Sequence, residues 1–197
     1  MPVRRPRATY HHGDLAAAAL AAALLVVERE GAGSLALRSL AGELGVNHRA
    51  LYRHFPAKDS LLTAVAAEGF RHLSRALAGA TDARDFLDRF TAFVISRARL
   101  YELMTSPIGR HAIALRARES PAAHVIAESL AMIGRGLPGD AGRDMVFKVW
   151  GVVHGLAMLY RTGMLRARAQ SAAISYIADA AYDVLRSADP ASHARAT

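Results

Sequence analysis

The segment NHRALYRHFPAKD, residues 47–59, concentrates side chains that can bind a polyanion. On a helix, Arg49, Tyr52 and Arg53 are three and four residues apart and therefore share one side. Leu51 and Phe55, four residues apart, fall on another side. Such a helix can pack on a core through its apolar side and present phosphate-binding guanidinium groups to solvent. The segment is therefore a candidate nucleic-acid contact surface.

Two short helices and a tight turn are predicted around this segment. The stretch LRSLAGEL, residues 37–44, ends at Gly45, which readily adopts the left-handed backbone of a tight turn. Asn47 is a suitable N-cap for a helix over residues 48–55, and Pro56 ends that helix. This arrangement predicts a helix-turn-helix unit whose second helix enters the major groove of DNA. A basic surface helix in an ordinary bundle is the alternative. The residues expected to hold the two helices together are Leu40, Ala41, Leu44, Val46 and Leu51.

The composition restricts the class of protein. The 197 residues include 25 Lys and Arg against 17 Asp and Glu, a net charge of +8, and only two of these basic residues are Lys. Arginine suits phosphate contacts, although a GC-rich genome would also enrich it. The absence of cysteine excludes disulfides, zinc-thiolate sites and cysteine nucleophiles. No apolar run reaches the roughly 18–20 residues that span a bilayer. We therefore expect a cytoplasmic protein with no membrane partner.

The rest of the chain has helical periodicity, and we predict an all-α fold. A first helix is expected from Asp14, as N-cap, to about Glu30, with Leu20, Leu24 and Val27 facing inward. A fourth helix is expected to begin near Asp59 or Ser60 and to run to about Leu77. The predicted later breaks are TSP (105–107), ESP (119–121) and the loop 134–142, and the predicted last two helices are 143–164 and 170–187.

Signatures of catalysis and of metal binding are missing from the sequence. There is no Gly-rich phosphate loop, no GxSxG and no HExxH. Asp82, Asp85 and Asp88 share a helical side, but Arg84 and Arg89 lie close by, which favours a solvated, ion-paired surface. We therefore expect no enzyme activity, no cofactor and no metal site.

Two stretches resemble a known family. YHHGDL and LALRSLAGELGVNHRALYRHFPAKDSLL, spanning about residues 10–65, closely resemble the DNA-binding region of TetR-type bacterial repressors. The resemblance implies a three-helix DNA-binding domain over residues 1–57 with a basic N-terminal arm. It also implies a larger helical domain for ligand binding and dimerisation over residues 58–197, and a homodimer.

The resemblance also assigns expected roles to individual residues. By position, Tyr52 and His54 look like contacts to the DNA backbone, and Lys58 would meet a phosphate. Asn47, His48 and Arg49 occupy the variable positions where bases are read, and Arg49 is the best candidate for a guanine contact. The remaining candidate DNA contacts on the helices are Arg38 and Arg53. The basic N-terminal arm could also contact DNA through Arg4, Arg5 and Arg7, and a disordered tail is the alternative for this segment.

One position departs from the family pattern. Ala36 stands where Ser or Thr often caps the second helix and touches phosphate. Ser34 is the nearest hydroxyl that could partly substitute for it. This departure removes the side chain that usually makes the phosphate contact at this end of the unit.

The stretch VWGVVHGLAML, residues 149–159, resembles the Trp-His-Gly segment of one TetR-type subgroup. Gly151 and Gly155, four residues apart, would let another helix approach closely. His154 lies on an apolar helix, where a hydrogen-bonded core histidine, a ligand contact and a metal ligand are the alternatives. The last two helices are expected to form the dimer interface, and Tyr176 and Tyr182 are candidates for it.

An apolar pocket is expected in the larger domain. Because pockets are mostly apolar with a few polar groups, a small apolar or amphipathic effector is expected. Simple core packing is the alternative for the same residues. The candidate lining residues are Phe86, Phe90, Phe93, Met104, Met132, Trp150, His154 and Met158.

The sequence therefore predicts a ligand-responsive repressor, a homodimer on a palindromic double-stranded operator, released by an effector. A small helical enzyme or sensor that uses His154 in a pocket is the alternative. A non-specific architectural DNA-binding protein is a third possibility, distinguished by steep salt dependence without sequence preference.

Overall fold

The computed structural model of the chain describes residues 15–116, 131, 133 and 140–187, with only the backbone for 113–116. Every regular element in these ranges is a helix, which confirms the predicted all-α fold. None of the described helices is long and apolar enough to cross a membrane. The elements are α1 (Leu15–Glu30), a 3₁₀ turn (Ala32–Ser34), α2 (Leu37–Glu43), α3 (His48–His54), α4 (Lys58–Leu77), α5 (Ala83–Ser96), α6 (Ala98–Thr105), α7 (Pro107–Arg116), α8 (Asp140–Arg161) and α9 (Gln170–Ser187).

Helix α1 buries small side chains where larger ones were expected. Its fully buried positions include Ala19, Ala23 and Val27, whereas Leu20 and Leu24 are only partly buried. Alanine at the buried positions lets α1 approach its neighbours closely, and the leucines then flank the contact. The predicted inward side was therefore right at Val27 and displaced at the two leucines.

The helix-turn-helix unit forms as predicted. Leu40, Ala41 and Leu51 are buried between α1, α2 and α3. The turn passes through Gly45 at φ 67°, where an L side chain would be strained. The side-chain oxygen of Asn47 accepts a hydrogen bond from the Arg49 N–H at 2.9 Å, so Asn47 is the N-cap of α3.

Several helix boundaries differ from the prediction by a few residues. Helix α4 already begins at Lys58, because Ser60 Oγ accepts the Ala57 N–H at 3.2 Å and stabilises the first turn. Helix α8 spans 140–161 instead of 143–164, with Gly163 at φ 75° just after its end. The predicted break at TSP is confirmed, since α6 ends at Thr105 and Pro107 begins α7. The ESP break and most of the loop 134–142 lie outside the described residues.

Helix α4 connects the two parts of the fold. It packs on α1 and also on α5, α6 and α7. Helix α5 in turn packs on α8 and α9, which lie against each other. A continuous set of buried apolar side chains extends from α1 to α9. The N-terminal helix-turn-helix part and the larger helical part are therefore connected through α4.

Candidate DNA-binding surface and effector cavity

The outer side of the helix-turn-helix unit carries the predicted DNA contacts. Leu51 of α3 is fully buried and anchors that helix, which leaves its other side in solvent. His48 packs edge-on against Tyr52, with ring centroids 6.3 Å apart. The exposed candidate residues are Arg38, Asn47, His48, Arg49, Tyr52, Arg53 and His54.

The arginines on this surface differ from most other described arginines in their lack of ion-pair partners. In the part of the chain that the structure describes, Arg38, Arg49 and Arg53 form no ion pair. In α4 to α8, by contrast, ion pairs are common. The paired arginines there are Arg71, Arg75, Arg84, Arg89, Arg97, Arg143 and Arg161. The helix-turn-helix surface thus presents three guanidinium groups available for phosphates or base edges.

Two further predicted contacts already have partners within the chain. Asn47 uses its side-chain oxygen as the N-cap, which leaves its amide NH₂ to face a ligand. Lys58 donates a hydrogen bond from Nζ to the Gly33 carbonyl at 2.8 Å, which ties the start of α4 to the 3₁₀ turn. An ammonium has three donors, so Lys58 keeps two for a phosphate.

Ser34 does not replace the missing cap of α2. Ala36 stands at the N-cap position without a side-chain hydrogen bond, and the Ser34 hydroxyl donates to the Glu30 carbonyl at 3.5 Å instead. The start of α2 therefore lacks the hydroxyl that this position often carries. The predicted arm, with Arg4, Arg5 and Arg7, lies outside the described residues, as does Asp14.

A large cavity lies between α4, α5, α6, α7 and α8. Its volume is about 370 Å³, within the range of small-molecule sites. Most of the surface that lines it is apolar and much of that is aromatic. The lining residues are Phe70, Leu73, Leu77, Phe86, Phe90, Tyr101, Met104, Thr105, Arg110, Ile133, Val146, Phe147, Val149 and Trp150.

The structure brings together only part of the predicted pocket. Phe86, Phe90, Met104 and Trp150 line the cavity, whereas Phe93 is buried in the core away from it. His154 and Met158 line a separate cleft of about 40 Å³. On α8, His154 and Met158 lie four and eight residues beyond Trp150, which places them about 6 and 12 Å further along the helix axis. On α5, Phe93 lies three residues, about 4.5 Å, beyond Phe90. Met132 lies outside the described residues.

Tyr101 is a polar residue of the cavity wall that sequence reasoning missed. Its hydroxyl accepts a hydrogen bond from Trp150 Nε1 at 2.6 Å, and this pair forms one wall of the cavity. Burial raises the pKa of Tyr101, only partly offset by the hydrogen bond from Trp150, so the phenol stays protonated. The two residues are 49 apart, and no local pattern pairs them. Arg110 and Thr105 were missed for the same reason.

His154 occupies the smaller cleft, next to Tyr101. The ring centroids of these two residues are 5.8 Å apart. The Nδ1 atom of His154 is buried and has no hydrogen-bond partner among the described residues. Nor does that part of the chain contain a group of three side chains suited to hold a metal ion. Among the described residues, therefore, His154 Nδ1 has no partner of the kind expected for a hydrogen-bonded core histidine, and His154 does not line the main cavity.

Polar side chains connect the helix-turn-helix part to the cavity part. Arg97, between α5 and α6, pairs with Glu28 of α1 and lies 3.1 Å from Nδ1 of His72 on α4. Since Arg97 donates, Nδ1 must accept, which places the proton of a neutral His72 on Nε2, 3.3 Å from Glu68. Burial raises the pKa of Glu68, but Arg71, together with His72 and Arg75, lowers it overall. The network thus favours a neutral His72.

This network predicts a pH dependence of stability. Burial and then Arg97 lower the pKa of His72 below its ordinary value of 6.5. A group whose pKa is lower in the folded state contributes its full stabilisation when the pH is above its unfolded-state pKa, about 6.5 here. That contribution is lost as the pH falls through the folded-state pKa. We expect the free energy of unfolding to decrease over this range, as measured by urea denaturation at several pH values.

The matched variant is His72→Gln, whose amide can both accept from Arg97 and donate to Glu68 without titrating. It should show a smaller decrease between pH 7 and pH 5 than the wild type. Equal decreases in both proteins would show that other groups carry the pH dependence.

Helix α8 has an exposed apolar side. Gly151 and Gly155 lie on it, and in the described part of the chain nothing stands within 4 Å of a Cβ added to either. Large apolar side chains, including Phe147, Met158 and Leu159, are also exposed on this helix. On α9, Tyr176 is 55% exposed. Tyr182, by contrast, packs inside the chain, with the Arg84 guanidinium 5.7 Å from its ring centroid.

The predicted acidic side of α5 is an ion-paired surface. Asp82 caps the helix by accepting the Asp85 N–H at 2.9 Å. Asp85 pairs with Arg89 at 2.7 Å and Asp88 with Arg84 at 3.1 Å. These carboxylates neutralise neighbouring arginines and stabilise α5.

The chain matches two family models. Residues 19–65 match the model of bacterial regulatory proteins of the tetR family. Residues 83–185, about half of the chain, match the tetracyclin repressor-like C-terminal domain. A comparison with curated protein sequences gave no significant match. The assignment to the subgroup with the Trp-His-Gly segment stays a prediction.

Solved structures share the fold. A protein of unknown function from Rhodococcus sp. RHA1 is 29% identical, with a TM-score of 0.63 over 92% of this chain and 98% of that one. A candidate transcriptional regulator from Saccharomonospora viridis, crystallised with choline, is 17% identical, with a TM-score of 0.59 over 88% and 96%.

The TetR family transcriptional regulator PfmR from Thermus thermophilus is 20% identical to this chain, with a TM-score of 0.50 over 85% of this chain and 97% of that one. The family models agree with the structure, in which a helix-turn-helix unit precedes a larger helical part with a cavity. The chain belongs to the TetR family of bacterial transcription regulators, with an N-terminal DNA-binding helix-turn-helix domain and a C-terminal ligand-binding domain.

Proposed function

We propose that this protein is a repressor that binds a palindromic operator as a homodimer and is released by a small apolar or amphipathic effector. The main support is that α4 joins an apolar cavity to an exposed surface whose three arginines form no ion pair with the described residues. As a regulator of bacterial DNA it would act in the cytoplasm. We also propose that it belongs to the Trp-His-Gly subgroup and that its DNA-binding domain ends at about residue 57.

In the proposed complex, α3 lies in the major groove. His48 and Arg49, in its first turn, reach base edges together with the amide of Asn47, and Arg49 binds the O6 and N7 atoms of a guanine. Tyr52, Arg53 and His54, with Arg38 and Lys58 beside them, bind the DNA backbone and fix the orientation of the helix.

The proposed dimer forms through the exposed side of α8 together with α9. Two glycines four residues apart leave the backbone of α8 open, and nothing in the described part of the chain covers it. Because a twofold axis brings the same surface of each subunit together, the two α8 helices would meet at these glycines. Exposed Phe147, Met158 and Tyr176 would then be buried.

Helix α4 supplies the coupling between ligand and DNA. Its first residue, Lys58, belongs to the DNA surface, and Phe70, Leu73 and Leu77 near its end line the cavity. In between, a Cβ on Gly69 would lie 2.7 Å from Met104 Sδ, so α4 and a cavity residue are in close contact. A ligand that moves Met104 would move α4 and change the separation of the two α3 helices. A coupling of about 1–3 kcal/mol is typical of such linked sites.

The proposal is tested by selecting bound duplexes from a random pool at near-physiological salt and then screening small molecules for release of the selected operator. A palindromic motif with half-sites about one helical turn apart, and release by at least one cavity ligand, would support it. An unenriched pool with only salt-sensitive binding would indicate a non-specific architectural protein. Turnover of a substrate that is lost in His154→Ala would favour the alternative of a helical enzyme or sensor.

A further inference from the structure

The charge on the cavity wall is positive. Among the described residues that line the cavity, Arg110 on α7 is the charged residue, and none carries a carboxylate. Its guanidinium makes no hydrogen bond or ion pair within the described part of the chain. Arg110 is exposed and therefore stands at the edge of the cavity. A cation at the edge of an apolar cavity attracts an anionic group.

Tyr101 adds a second donor. Its oxygen already accepts the Trp150 N–H, whereas its own O–H has no acceptor among the described residues. The Thr105 hydroxyl, also on the wall, donates its proton to the Tyr101 carbonyl at 3.1 Å. Arg110 and the Tyr101 O–H are therefore available to donate hydrogen bonds to a ligand, and the ligand must supply the acceptors.

The remainder of the wall fits an apolar body. Phe86 and Phe90 stack with ring centroids 5.8 Å apart, and Phe90 lies edge-on to Tyr101 at 6.2 Å. These rings could also surround a quaternary ammonium through cation–π contacts. Arg110 opposes that, because a second cation at the same cavity would be repelled and no described lining carboxylate would neutralise it.

We propose that the effector is an amphipathic anion, with an apolar body between the aromatic rings and a carboxylate or similar acidic group bound by Arg110 and Tyr101. This inference rests on the proposed function in taking the cavity as the effector site. It goes further in naming the chemical class of the ligand and the two residues that select it.

The test compares probes with the same apolar body and different head groups: decanoate, decanol and decyltrimethylammonium. The chain has one tryptophan, and it lies on the cavity wall, so Trp150 fluorescence reports binding directly. Titrations use the full-length protein below the micelle-forming concentration of each probe. We expect decanoate to bind most tightly, and Arg110→Gln to weaken decanoate about tenfold or more while changing decanol little.

Two variants control for general effects. Arg99→Gln removes an exposed arginine that does not line the main cavity, and it should leave decanoate binding unchanged. Arg110→Lys keeps the charge and should retain part of the affinity that Arg110→Gln loses. Tyr101→Phe should weaken decanoate more than decanol, because it removes the donor and keeps the ring.

The outcomes separate this inference from the proposed function. Binding of decanol or decyltrimethylammonium as tightly as decanoate, or an unchanged decanoate affinity in Arg110→Gln, would overturn the anionic head group while leaving the cavity as the ligand site. A Trp150 signal that responds to none of the three probes would overturn it as well. Decanoate binding that depends on Arg110 but never alters operator binding would support an anionic ligand for the cavity and contradict the proposed release of the operator.

Discussion

Arg49→Ala should weaken binding to the selected operator by about 30-fold or more. A bidentate arginine–guanine contact discriminates by about 1–3 kcal/mol. A dimer loses this contact in both half-sites, which costs about 2 kcal/mol at least. Since about 1.4 kcal/mol corresponds to a tenfold change in affinity, the expected loss is about 30-fold or more. The variant should fold normally, since Arg49 is exposed and has no ion-pair partner among the described residues. Fluorescence anisotropy with a labelled operator measures the change.

The specificity of the same variant is the sharper readout. Arg49→Ala should relax the preference at one base pair in each half-site, whereas Arg53→Ala should weaken all sequences equally and reduce the salt dependence. Arg168→Ala, which removes an exposed arginine from the loop between α8 and α9, is the charge-matched control. If Arg49→Ala and Arg168→Ala bound the operator equally well, base reading by α3 would have to be assigned to other residues.

Gly155→Glu should dissociate the proposed dimer. In the single chain the new side chain has room, because Gly155 is exposed and nothing described lies within 4 Å of its Cβ. Replacing a helical glycine should also favour the helix, by up to about 1 kcal/mol for alanine. Across a twofold interface, however, two carboxylates would be buried without a partner, at a cost of about 3–5 kcal/mol. Self-association should therefore weaken at least about 100-fold.

Sedimentation over a range of protein concentrations measures this effect, and thermal unfolding at low concentration checks the fold of the subunit. Gly42→Glu is the matched control, since Gly42 is an exposed helical glycine on α2 with open space at its Cβ. Gly155→Glu should also lose operator affinity, because one subunit covers only one half-site. A Gly155→Glu protein that stayed as dimeric as Gly42→Glu would place the interface away from these glycines.

The sequence by itself determined the features that depend on residues a few positions apart. The helix-turn-helix follows from a short apolar pattern, the left-handed turn at Gly45 and the cap at Asn47. The exposed side of α3 follows from helical periodicity. Helix ends were predicted within about three residues, because caps and prolines act locally.

Only the tertiary structure decided which distant side chains meet. Helical periodicity gives the side of a helix but not the point along its axis where another helix crosses it. It therefore grouped Phe93, His154 and Met158 with the cavity, whereas the crossing of α5, α6 and α8 separates them from it. For the same reason the Tyr101–Trp150 hydrogen bond was out of reach of sequence patterns, as was the Glu28–Arg97–His72 network. The chemistry of the cavity depends on such long-range contacts, and they exist only once the helices have packed.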